Sequence, residues 1–132
     1  MATTEIEVKP RNGFTTQEVN MVRETYKAAA STPFLDLKMC VDAHPINVGD
    51  KKMGKFFRFA STNYGIELCP EYIKRPGHKQ EPACMVTIRN YALQCEVDSR
   101  VFSCKSVGIE TIFAHAVAAV QFLELFASDA VK

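Results

Sequence analysis

The sequence predicts an α+β fold: a helix, three antiparallel strands and a closing helix, with both helices on one face of the sheet and an N-terminal helical extension ahead of them. Three observations carry that prediction. Residues 108–126 are apolar almost throughout. Met53, Phe56, Phe57 and Ala60 recur at helical spacing. Between these two segments lie runs with the composition or alternation of strands.

Composition bounds the function before any motif is considered. A chain of 132 residues with 47% hydrophobic content is long enough for one real core. The net charge is +1, divided as five basic and seven acidic residues over 1–50 and eleven basic and eight acidic over 51–132. That is too little to bind nucleic acid by charge alone. The five cysteines, at 40, 69, 84, 95 and 104, are odd in number and never two or three apart, which predicts reduced, mostly buried thiols rather than a disulfide framework. The N-terminus lacks the apolar core of a signal peptide, and no run reads as transmembrane in length, so an intracellular protein, nuclear or cytoplasmic and off the membrane, is expected.

Residues 1–13 read as a polar, mobile tail ending at the turn pair Asn12–Gly13. The extension, 14–49, opens with Thr15 as N-cap and Glu18 completing a capping box, with Phe14 placed to staple Val19. The helix this starts, 16–30, carries one apolar stripe of Val19, Val22 and Tyr26. Over 35–41, Leu35, Leu37, Met39 and Val41 alternate with polar neighbours, as in a half-buried strand; a short helix fits the same residues. The Pro, Gly and Asp of 42–50 mark a connector and place the main domain at 50–128.

Within that domain the helical spacing predicts a helix over 51–62, despite Gly54. After a loop around Gly65, residues 70–75 read as a strand and 75–82 as a loop. Residues 83–90 alternate Cys84, Val86 and Ile88 against Met85, Thr87 and Arg89, and 101–105 supply a third strand, with extended structure also around 91–97.

At 100° per residue, the last helix places Ala114, Val117, Ala118, Phe122 and Leu125 on one face. Ile112, Ala116, Ala119, Val120 and Leu123 fall opposite, with Phe113 beside them. Burying Ile112, Phe113, Val120 and Leu123 is worth about 6–12 kcal/mol, so this second face also needs a cover. The 16–30 helix and a second protein are the two candidates.

Pro70-Glu71-Tyr72, the Gly77-His78 pair, Gly108 and the Ala114, Ala118, Ala119, Leu123 pattern resemble, in order and approximate spacing, the double-stranded RNA-binding domain family over about residues 51–128. The resemblance implies an α-β-β-β-α fold and a place in double-stranded RNA handling, and it extends to plant members that pair with a relative in RNA silencing. The lysines with which the family grips phosphate at the start of its last helix are replaced by Thr111, Ile112 and His115, with Glu110 at the usual N-cap position. The family's minor-groove glutamate falls near Phe59. The surviving RNA-contact candidates are His78 with Lys74, Arg75 and Lys79.

No C-x2-C or H-x3–5-H pair predicts zinc, and no nucleophile turn predicts catalysis, so neither metal, cofactor nor enzymatic activity is expected. The expectation is a degenerate, non-catalytic adaptor with weak or indirect affinity for double-stranded RNA. It would bind a protein partner, another double-stranded RNA-binding protein or a second copy, through Ile112, Phe113, Ala116, Val120 and Leu123, assisted by Phe102. The alternative is direct RNA binding through the His78 loop, strengthened by a partner domain.

Overall fold

The computed structural model describes residues 6–30, 36–45 and 55–131. The strands are β1 (Glu7–Pro10), β2 (Lys38–Val41), β3 (Phe57–Ala60), β4 (Tyr64–Lys74), β5 (Glu81–Asn90) and β6 (Cys95–Ser103); the helices are α1 (Thr16–Ala30) and α2 (Ile109–Val131). All strand pairings are antiparallel, in the order β2-β3-β4-β5-β6. β1 pairs with residues 71–74 of β4 while β3 pairs with 65–68, so the two short strands share one edge of β4 end to end.

The expected α-β-β-β-α domain with three strands is therefore replaced, among the described residues, by a six-stranded sheet carrying two helices. The largest departure is at 51–62. Lys51–Gly54 lies outside the described residues, and Phe57–Ala60 is strand β3. Phe57 and Phe59 are fully buried while Arg58 and Ala60 face the other side, because β4 offers Leu68 and Ile66 opposite the two rings. The expected tail contributes β1 through backbone pairing alone, its four side chains all being exposed. Gly65 lies within β4 rather than in a loop, beneath the Tyr91 side chain.

α1 begins where the capping box places it. The Glu18 amide donates to Thr15 Oγ1 at 3.1 Å, and the Thr15 amide donates to Glu18 Oε1 at 2.9 Å. Its apolar stripe lies against the same sheet face as α2, and Tyr26 bolts it to β2 by donating to the Leu37 carbonyl and accepting from the Met39 amide, both at 3.1 Å. Phe34 and Leu35 lie outside the described residues; Leu37 is buried beside the strand that follows.

The core between sheet and helices is an aromatic series. Phe14 packs on Phe57 at 5.6 Å, Phe57 on Phe59 at 5.8 Å, and Phe59 on both Tyr26 at 5.3 Å and Phe113 at 4.5 Å. Cys84, Val86 and Ile88 of β5 complete it, as their alternation predicts.

At the end of the sheet, Arg11 lies sandwiched between α1 and β4–β5. Its guanidinium donates to Glu18 Oε1 at 2.8 Å, Glu18 Oε2 at 3.2 Å and the Ala83 carbonyl at 2.9 Å, and it stacks over the Phe14 and Tyr72 rings.

Candidate protein-binding surface

The orientation of α2 decides which of its two apolar faces is available. Ile109, Ile112, Phe113, Ala116, Val117 and Val120 are buried against β4, β5 and α1, and Leu123 is half-buried against the same cluster. The residues expected to meet a partner, Ile112, Phe113, Ala116 and Val120, are thus core. Their cover is supplied within the chain, by the sheet and α1. Apolar periodicity could not make this choice, because both faces satisfied it.

The uncovered apolar surface is the opposite one, at the C-terminal end of α2. Phe122, Leu125 and Phe126 are 64%, 54% and 67% exposed, and the two phenylalanine rings lean on each other at 6.0 Å. This end of the helix is pinned. The Glu124 carboxylate accepts from the Asn63 amide and from Asn63 Nδ2, both at 2.7 Å, and from the Ser61 hydroxyl, tying α2 to the β3–β4 turn. Burial pushes the Glu124 carboxyl upward, but these hydrogen bonds outweigh it and hold it below its usual range. The exposed side chains are consequently carried on an ordered support.

Ile109–Ala127 is, by length and composition, apolar enough to cross a membrane, with a mean hydropathy of 1.5, which corrects the expectation that no run reaches that length. The inner face of α2 is core, and 28% of this stretch is buried within the molecule.

Beside α2 runs the sheet's edge strand, β6. α2 packs over β4 and β5, leaving a trough of about 120 Å³ floored by Val86 and Ile88, walled by Ile112, Ala116 and Ala119, and flanked by Phe102. Phe102, expected at a partner contact, is 37% exposed at this trough. Asp98, Arg100 and His115 line it too. Phe122, Leu125 and Phe126 were the contributors that sequence reasoning missed; the excess of apolar area on α2 was the available signal.

The RNA-contact candidates are placed differently. His78 and Lys79 are exposed in the 75–80 loop, whose Gly77 adopts a φ of 76° that favours glycine. Lys74 donates its ammonium to the Arg75 and His78 carbonyls, and Arg75 is paired with Glu81. Two of the loop's three basic side chains are therefore committed to the loop's own structure. At the head of α2, Thr111 and His115 are exposed, while Ile112 is buried and Glu110 supplies a negative charge.

A recess of about 820 Å³ follows α1 past Gln17, Asn20, Met21 and Glu24 to Glu110, and has neither cysteine nor histidine among its described lining residues. All five cysteines are free, but only Cys84 is buried, Cys69 and Cys104 are partly so, and Cys40 and Cys95 are exposed, fewer buried than expected. Burial pushes the Cys69 and Cys84 thiols up and takes Cys104 to about 12, the reverse of nucleophile activation. Among the described residues no three His, Cys, Asp or Glu side chains converge to hold a metal. No protein-family model, curated protein or solved structure matches the chain.

Proposed function

We propose that this chain is a non-catalytic interaction module, an adaptor that binds another protein through the apolar end of α2 and the adjoining edge of β6. The observation that carries the proposal is the exposure of Phe122, Leu125 and Phe126 on a helix end held by Glu124, along the helix from Ala119 in the wall of the trough. Aromatic residues clustered on a rigid support are the side chains that anchor protein interfaces. The residues resembling double-stranded RNA-binding domains supply the suggested setting, an assembly that processes double-stranded RNA or acts in RNA silencing, with weak intrinsic RNA affinity.

Titration with a duplex RNA of about 20 base pairs, slightly more than one such domain covers, tests this reading. At physiological salt we expect no saturation at micromolar RNA, and the same weak response from Lys79→Ala. Tight binding that falls steeply with added salt would make phosphate the ligand of this chain and refute the adaptor role.

A further inference from the structure

Resting on that protein-binding role, we infer that the partner at β6 is a second copy of this chain, joined by antiparallel pairing of β6 with β6 about a twofold axis at Ser99. β6 is a nine-residue edge strand paired on one side with β5, and Cys95–Arg100 is exposed along its whole length. Long edge strands invite pairing unless charge or geometry prevents it.

The charges on this strand are arranged to permit one particular pairing. Residues 97–101 read Val-Asp-Ser-Arg-Val, whose apolar and charged positions are self-complementary when the segment meets itself antiparallel. Centred on Ser99, the pairing sets Asp98 opposite Arg100 of the other copy, twice over by symmetry, within the stretch Asp98–Val101 that pairs regularly with β5; Val97, the extra residue of the register shift, ends that stretch. Asp98 and Arg100 lie on the same, helix-bearing side of the sheet, opposite Ile88 and Val86 of β5, so both interchain ion pairs form on one face. Within one copy the two side chains pair with each other at 3.0 Å while remaining 48% and 70% exposed, so they reach the second strand without leaving a buried partner behind.

In-register parallel pairing would instead place Asp98 beside Asp98 and Arg100 beside Arg100, and is disfavoured. β6 carries features that can blunt an edge, namely charged side chains and a register shift against β5 at Val97, but its two charges at 98 and 100 are of opposite sign, 97–101 holds no proline, and Asp98–Val101 pairs regularly with β5. A twofold axis normal to the sheet keeps both α2 helices on one side, so the second β6 extends the floor of the trough beside Phe102.

Sedimentation velocity of the full chain over a concentration series tests the inference, using charge reversals at these exposed positions. Wild type is expected to be a concentration-dependent dimer. Asp98→Arg alone and Arg100→Asp alone each create two like-charge contacts and should weaken dimerisation roughly tenfold or more, with unchanged circular dichroism. Mixed in equal amounts, the two variants are complementary and should recover wild-type association as a heterodimer, as should the doubly reversed D98R/R100D chain with itself. A monomeric wild type, single variants that dimerise as tightly as wild type, or failure of the mixture to recover would each overturn the inference. A monomer that also fails to bind duplex RNA would remove the second copy as occupant and leave the protein-binding role intact, whereas steep, salt-sensitive RNA binding would remove that role itself.

Discussion

Replacing Arg11 by alanine should remove a bolt that joins the β1–α1 connection to α1 and to β5. The side chains of Arg11 and Glu18 are only 5% and 12% exposed, so solvent replaces little of what the substitution deletes. Three hydrogen bonds and two ring contacts disappear together. Deleting one member of a buried pair typically costs about 3–5 kcal/mol, chiefly by stranding the other charge. Glu18 keeps the Thr15 amide and a favourable place at the head of α1, which puts the expected loss near about 3 kcal/mol, or a fall of about 10 °C in Tm for a chain of this length. Urea melts of Arg11→Ala, Glu18→Gln and the double variant measure it. The double variant should be more stable than the sum of the single losses implies, because it no longer contains an unpaired carboxylate. Acid provides an independent check. Burial raises the Glu18 pKa, but hydrogen bonds from Arg11 and Thr15 and the Arg11 charge outweigh it and leave it below 4.5. The unfolded chain then takes up the proton first as pH falls, so the contribution is complete above about 4.5 and is lost as pH falls through the lowered folded value. An Arg11→Ala loss under about 1 kcal/mol, the size of a surface pair, or strictly additive variants, would refute the bolt.

The packing around α2 and the thiols yields two further tests. Phe59→Ala should cost about 3–5 kcal/mol by opening a cavity among Tyr26, Phe57 and Phe113, and Leu123→Asp should also destabilise because its side chain packs on the core. Phe126→Asp should stay within about 0.5 kcal/mol of wild type in the same urea melts, and a large loss there would mean the outer face is internal. With a chromogenic disulfide reagent at neutral pH, Cys40 and Cys95 should react quickly, Cys69 and Cys104 slowly, and Cys84 only after unfolding; peptide mapping that finds Cys84 among the fast thiols would contradict its burial.

What was legible in the sequence was what local chemistry determines. Thr15 and Glu18 satisfy the first amides of α1 from within four residues, so the helix start needs no knowledge of the rest of the chain. In β5, Cys84, Val86 and Ile88 join the helix-side core as their alternation predicts, while Ala83 and Thr87 are buried as well. β3 escaped because Met53, Phe56, Phe57 and Ala60 fit a helical spacing while Phe57 and Phe59 fit an alternating one over so short a window, and only Ile66 and Leu68 across the ladder decide between them. β1 escaped for a different reason: it buries no apolar side chain and exists through its backbone bonds to β4. The misplacement of the candidate surface has the same origin, since the position of α1 and the sheet selects which face of α2 becomes core.

That selection also bears on the choice between protein and RNA as ligand. Had both apolar faces of α2 been packed inward, the surface would have been left with the basic loop at 75–80 as its main candidate contact. In the observed packing the apolar side chains are outside, and the loop has spent Lys74 on its own carbonyls and Arg75 on Glu81. Each phosphate contact contributes nearly one unit to the salt slope of binding, so Lys79 alone could sustain a slope of only about one, far below that of a protein gripping a duplex across several phosphates. Burial of Phe122, Leu125 and Phe126 releases no such counterions and is not weakened by moderate salt. A ligand retained as salt is raised would therefore be held by the apolar end of α2, and one lost in proportion to salt would be held by charge, which this surface supplies sparingly.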